Sequence, residues 1–268
     1  MDSSSHDNMS FLEHLEELRW HIIRSLIAIV SAGFICFLMK DFIFDTIIFG
    51  PKKMDFPTYK FLCQAATFIG VETTFCGDEF PFIVQNRTMA GQFSAHVMTS
   101  IISGFIISFP YILYEFWKFI SPGLLEREKA KSRGFIFISS MLFFIGVLFG
   151  YYIISPLSIN FLGTYQVSSQ VINEIDLGSF ISLVRSSAVA SGIIFELPII
   201  IYFLTKAGVV TPESLVKYRK YALVLVLVLA AIITPPDVAS QIIVAIPIVV
   251  LYQVSIFISR IVIKNQTK

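Results

Sequence analysis

The chain has 268 residues, of which 55% are hydrophobic and 15% charged, with a mean hydropathy of +0.76 and a formal net charge of +1. A soluble domain usually carries about 25% charged residues, so the apolar surplus excludes a single water-exposed core and points to lipid as the solvent. So small a net charge carries no signal of binding to nucleic acid or other polyanions.

The amino-terminal residues are polar and acidic, unlike the basic start of a cleavable signal peptide, and no small-residue cleavage site follows the first apolar run. That run is therefore expected to stay as an anchor. In FLEHLEELRWHIIRSL, the apolar residues Phe11, Leu12, Leu15, Leu18 and Ile22 recur at helical spacing. They predict an amphipathic helix running into the first span, with Glu13, Glu16, Glu17 and Arg19 on its polar side. Spans are expected at about 22–40, 93–115, 134–155, 178–205, 221–234 and 238–259, with a loop at 41–92, all within a single transmembrane domain over 1–268.

About 20 helical residues cross the roughly 30 Å hydrocarbon layer. The fifth stretch, Tyr221 to Thr234, covers only about 21 Å as a helix and is expected to be short. Pro156 is expected to close the third helix and Pro247 to interrupt the sixth, while Pro235-Pro236 makes a tight turn between the last two. Lys and Arg set the orientation. With the amino terminus inside, fourteen of them fall in inner segments and six in outer ones, which predicts both ends in the cytoplasm and 41–92 as an outer loop.

Glu196 stands in ASGIIFELPIIIYFL, at least ten residues from another charge on either side. An ionisable group inside a span is costly and reads as functional, against the plainer alternative of a neutral carboxyl hydrogen bonded to a neighbouring helix. Arg185 lies eleven residues earlier on nearly the same face, about 16 Å away, and Pro198 offers a kink. Asp237 can be an N-cap or a functional acid, and Gln241 and Gln253 are candidate hydrogen bonders between helices.

Cys36 reads as a small buried hydrophobe. Cys63 and Cys76 share the outer loop, where they can form a disulfide or remain thiols, since spacing does not supply the required geometry. The four histidines have no metal-ligand spacing. His14 and His21 align on the first helix with nothing evident in the sequence converging on them. No phosphate-binding glycine loop, internal repeat or cofactor motif is present.

Four segments recur in a familiar order: HLEELR before the first span, FISPGLLEREK after the second, FELP inside the fourth and TPPDVASQ between the last two. From about Phe11 to Ile263 the chain resembles the TatC family, the multi-spanning receptor subunits of the twin-arginine protein translocase. The resemblance implies an all-α integral membrane protein with six tilted transmembrane helices in a concave, glove-like arrangement and short fifth and sixth helices. It implies binding of twin-arginine signal peptides on folded cargo, recruitment of single-span partners of the TatA and TatB type, proton-gradient-driven export, and no enzymatic activity or cofactor. Other copies of the chain are expected in the working complex, in a bacterial inner membrane.

Carried over by motif, Glu17, Arg19, Phe119, Pro122 and Glu128 form the signal-peptide site. Glu196, Asp237 and Gln241 are the polar groups of the membrane region, and Pro51 matches a proline of the outer loop. That loop is longer than in familiar bacterial members, and its two cysteines stand outside the pattern. The alternative is a proton-coupled small-molecule transporter with Glu196 as proton carrier, against which the absence of repeats argues. A membrane enzyme would need a cluster of reactive groups that the sequence does not show.

Overall fold

Hydrocarbon offers no hydrogen bonds, so a chain this apolar must bond its own backbone, and helix is the local solution. The computed structural model describes residues 11–70, 76–77, 79–120, 132–168, 170–233 and 238–266. Helix α1 runs unbroken over Phe11–Leu38, joining the amphipathic segment to the first span. The loop 41–92 is structured: a π-helical stretch (Phe42–Ile48), a short 3-10 turn (Gly50–Lys52), α2 (Pro57–Ile69) and strand β1 (Phe82–Gln85). Gly70, at φ 78°, ends α2 in the left-handed conformation that favours glycine.

Helix α3 spans Gly91–Ile120 and is followed by α4 (Ser132–Phe149), a π-helical turn (Gly150–Ile154) and α5 (Ser155–Thr164). Strand β2 (Asn173–Asp176) leads into α6 (Leu177–Phe195), α7 (Leu197–Lys206), α8 (Pro212–Lys217), α9 (Arg219–Ile233) and α10 (Val238–Gln266). Among the described residues, five helical segments are long and apolar enough to cross a membrane: 15–38, 91–120, 134–164, 177–206 and 241–264. At 15 residues, α9 is the short fifth span. Side chains such as Val30 (66% exposed) and Phe34 (63%) face outward with no protein cover, as a lipid-facing surface requires.

Two expectations about prolines are corrected. Pro156 does not close the third helix; it lies in the first turn of α5, and the helical segment runs on to Thr164. The π-helical turn before it resolves the conflict. The Gly150 carbonyl accepts from the Ser155 backbone N–H and from Ser155 Oγ at 3.0 Å, so the disturbed turn keeps its bonds. Pro247 does not interrupt the sixth helix either: α10 is continuous for 29 residues and is not short. Breaking it would leave backbone groups unsatisfied in hydrocarbon.

Pro198 has the opposite effect. Helix α6 stops at Phe195, Glu196 forms the junction and α7 begins at Leu197. The parallel pairing of β1 with β2, Phe82 against Asn173 through Gln85 against Asp176, adds a two-stranded sheet to an otherwise helical chain. Asp176 then caps α6 by accepting from the N–H of Gly178 at 2.8 Å and of Ser179 at 3.3 Å.

Chain contacts divide the molecule into two compact units, Met1–Lys40 with His96–Met141, and Asp41–Ala95 with Leu142–Lys268. In the first, α1 and α3 approach closely. A Cβ at Gly104 would lie 2.5 Å from both the Gly33 nitrogen and the Ile29 carbonyl, so only glycine permits this spacing. Ser108 Oγ donates to the Ala28 carbonyl across the same seam at 3.0 Å. In the second unit, a Cβ at Gly150 would collide with the Ser187 carbonyl, so the third and fourth spans touch backbone to backbone. Ile154, Val226, Ala230, Val244, Ala245 and Ile248 form a buried cluster that holds α9 against α10. Thr205 Oγ1 donates to Ser259 Oγ at 2.9 Å, tying α7 to α10.

The loop of the second unit is anchored on Tyr59, which is fully buried. Its hydroxyl reaches the carbonyls of Pro51 at 2.8 Å and Pro156 at 3.0 Å, and burial pushes its phenol well above the usual tyrosine range. Thr58 donates to the Tyr152 carbonyl and Tyr151 to the Ile47 carbonyl, at 2.8 Å for the latter. A disulfide joins Cys63 on α2 to Cys76. Tyr59→Phe removes the donor from two buried carbonyls and should cost about 1–3 kcal/mol. It should appear as a lower melting temperature of the purified protein in detergent, with reductant-treated samples as the reference for loss of the disulfide.

Candidate functional site

The close approach of α1 and α3 brings polar groups together at one end of the seam. His21 on α1 donates through Nδ1 to Glu115 Oε2 on α3 at 2.5 Å. Both side chains are almost wholly buried, at 5% and 3% exposure. Arg24 Nη1 lies 3.8 Å from the same carboxylate oxygen, and Tyr111, one turn before Glu115 on α3, is also hydrogen bonded to that carboxylate. A carboxylate this deep needs such company, because an unpaired buried charge costs several kcal/mol. Glu115 is thus satisfied within the protein.

Glu17 is different. It stands one turn before His21 on α1, and its Oε1 is 4.0 Å from His21 Nε2. Its other oxygen, Oε2, is buried and has no hydrogen-bond partner among the described residues. The side chain is 36% exposed, so the carboxylate is reachable. Phe119, at the end of α3, sets its ring edge-on to His21 with centroids 6.1 Å apart. Two residues from separate motifs, Glu17 and Phe119, therefore meet on the His21 ring. Arg19 is exposed. Pro122 and Glu128 lie outside the described residues, as does Asp237.

The remaining positions lie in the other unit. Glu196 is 8% exposed at the junction of α6 and α7, where its carbonyl accepts from the N–H groups of Ile199 and Ile200. Gln241 donates from Nε2 to the Leu227 carbonyl at 3.1 Å, linking α10 to α9. Pro51 is buried, with its carbonyl held by Tyr59. Arg185 keeps Nε and Nη1 buried with no hydrogen-bond partner among the described residues. No group of metal-ligating side chains occurs among the described residues.

Sequence reasoning missed Glu115, the last residue of the expected second span, and it noted His21 without a partner. The available signal was pairwise: Tyr111 and Glu115 one turn apart on one helix, His21 and Arg24 three residues apart on another.

The fold and these groups define a polytopic helical membrane protein with a buried acid–base cluster and one incompletely satisfied carboxylate beside it. Residues 13–247 match the family described as Sec-independent protein translocase protein (TatC). A TatC protein of Blattabacterium sp. subsp. Periplaneta americana is 46% identical over 97% of this chain and 98% of its own length. One from Aquifex aeolicus is 37% identical over 94% and 95%. A crystal structure of the twin-arginine translocase receptor TatC in DDM superposes with a TM-score of 0.70 at 36% identity, covering 91% of this chain and 98% of that one. The chain belongs to the TatC family and is a component of Sec-independent protein translocation. The alternative of a small-molecule transporter built on Glu196 has no support from these relatives.

Gly104→Val would drive α1 and α3 apart, because its added carbons have no room against the Gly33 and Ile29 backbone. Overpacking of this kind costs about 1–3 kcal/mol. The expected result is a lower melting temperature and looser protection of α1 in hydrogen exchange, while α9 and α10 keep theirs.

Proposed function

We propose that this chain is the receptor subunit of a twin-arginine translocase, binding the paired arginines of a signal peptide through Glu17 and recruiting single-span partners of the TatA and TatB type for export of folded cargo. The observation that carries this reading is the state of the Glu17 carboxylate: one oxygen faces His21 and the other is buried without a hydrogen-bond partner among the described residues. A guanidinium supplies what that oxygen lacks, a pair of N–H donors in a planar fork. Lysine, a point charge with tetrahedral donors, matches a fixed carboxylate edge less well. Glu115 cannot serve as the acceptor, since His21, Arg24 and Tyr111 already engage it.

Glu128 is the proposed carboxylate for the second arginine, with Arg19, Phe119 and Pro122 completing the site. Glu196, Asp237 and Gln241 are proposed contacts for the partner helices, and Pro51 a support for the outer loop. The distribution of Lys and Arg supports both termini in the cytoplasm of a bacterial inner membrane. In this reading the chain works as one transmembrane domain, alongside other copies and without cofactor or catalysis, and the proton gradient drives transport.

Glu17→Gln tests the reading, because the amide keeps the shape and loses the charge. A charge-assisted hydrogen bond contributes about 1.5–3 kcal/mol, so an Arg-Arg signal peptide should bind the purified variant about tenfold or more weakly. The same peptide with Lys-Lys should be nearly unaffected. Equal affinity of the parent for both peptides would exclude Glu17 as an arginine site.

A further inference from the structure

Glu17 does not stand alone: the group that faces it is itself clamped. The His21 ring is buried, its Nδ1 is 2.5 Å from Glu115 Oε2, and Phe119 lies against it edge-on. These contacts leave the imidazole no freedom to turn, so Nε2 points in one direction, towards Glu17 Oε1 at 4.0 Å. Among the described residues, Glu17 on α1 and Glu115 on α3 face the ring, and Arg24 on α1 and Tyr111 on α3 stand beside Glu115.

The two ring nitrogens therefore have different tasks. Nδ1 is the nitrogen turned to the Glu115 carboxylate. Nε2 is the nitrogen turned to Glu17. With a proton there, the imidazolium attracts Glu17 and offsets its charge. Without one, nothing on the ring offsets the Glu17 charge, which is left for a guanidinium.

We propose that His21, clamped by Glu115, is a positioning residue of the signal-recognition site, setting the orientation and effective charge of Glu17 and hence the affinity for a cationic peptide. This rests on the receptor reading above. A guanidinium and the Nε2 proton compete for the same carboxylate, so peptide binding releases that proton and weakens on acidification. Neither Glu115 nor His21 touches the peptide's guanidinium; His21 acts through Glu17, and Glu115 acts by fixing the ring.

His21→Asn separates the two tasks. The asparagine amide can donate to Glu115 as Nδ1 does, but it carries no titrating nitrogen facing Glu17. Binding of a fluorescent Arg-Arg peptide to the full-length protein in detergent should be followed between about pH 5 and 8, the interval in which histidines change charge. The parent should lose about fivefold in affinity towards the acid end, the size of one partly screened ion pair. The asparagine variant should give a flat profile while still binding the peptide. A flat parent profile, or the same slope in both proteins, would overturn the proposal.

A double-mutant cycle in thermal unfolding with Glu17→Gln and His21→Asn, without peptide, tests the link between the two residues whatever the ligand. Non-additive effects are expected, and strict additivity would overturn the link. A parent that binds Arg-Arg and Lys-Lys peptides alike while the cycle shows coupling would overturn the receptor reading and leave the His21–Glu17 link standing.

Discussion

Hydrocarbon accepts and donates no hydrogen bonds, and this chain answers that constraint by carrying helices through prolines in the spans. Pro110 and Pro247 sit inside α3 and α10 without ending them, and the Tyr152 carbonyl, for which Pro156 has no N–H to offer, accepts from Thr58 instead. The same constraint governs how the helices meet. Lipid gives apolar side chains no reason to prefer one another, so close packing must come from surfaces where backbones touch. Gly33 against Gly104, and Gly150 against Ser187, are such surfaces.

From that packing follows a place where charge is buried together with its partners. The glycine contact fixes α1 against α3, and the side chains above it have to come to terms with each other at short range. Glu115 is paid for by an imidazole, a guanidinium and a phenol, which leaves it structurally settled. Glu17, one turn from His21 on α1, faces that ring and, among the described residues, keeps one oxygen without a hydrogen-bond partner. The contrast matters because affinity for arginine depends on a carboxylate that is held in place yet still short of donors. A fully exposed glutamate would be too mobile and too well hydrated to tell arginine from lysine, and a fully paired one would have nothing to offer.

The second unit solves a different problem. Its long loop would be a floppy connection between two spans if nothing held it. Instead, Tyr59 bonds the carbonyls of two prolines that lack N–H groups of their own, and the Cys63–Cys76 disulfide ties α2 to the chain that follows. Arg87 and Glu174, 2.7 Å apart and each partly exposed, add little energy beside the β1–β2 ladder they flank. Among its described residues the loop is thus held by side-chain hydrogen bonds and a covalent link as well as by buried apolar residues such as Ile43, Phe56 and Phe82.

The local properties of the chain were legible before any coordinates. Apolar runs of membrane length located the spans, including the short α9, because the cost of exposing polar groups to lipid is paid residue by residue along the sequence. The order of HLEELR, FISPGLLEREK, FELP and TPPDVASQ indicated the family, and Pro198 marked the break beside Glu196. What tertiary structure decided was everything that depends on a distant neighbour. The pairing of β1 with β2 joins segments some ninety residues apart, and neither four-residue run announces itself. Pro156 and Pro247 read as helix breakers because what carries the helix past them is not local: Thr58 reaches the Tyr152 carbonyl across 94 residues, and hydrocarbon raises the cost of a break. The union of His21 with Glu115 spans 94 residues and exists only because Gly33 and Gly104 let two backbones meet. Sequence determines which groups a helix carries and where lipid will hold it; only the packed fold determines which of those groups come within hydrogen-bonding distance, since that depends on shapes contributed by both helices at once.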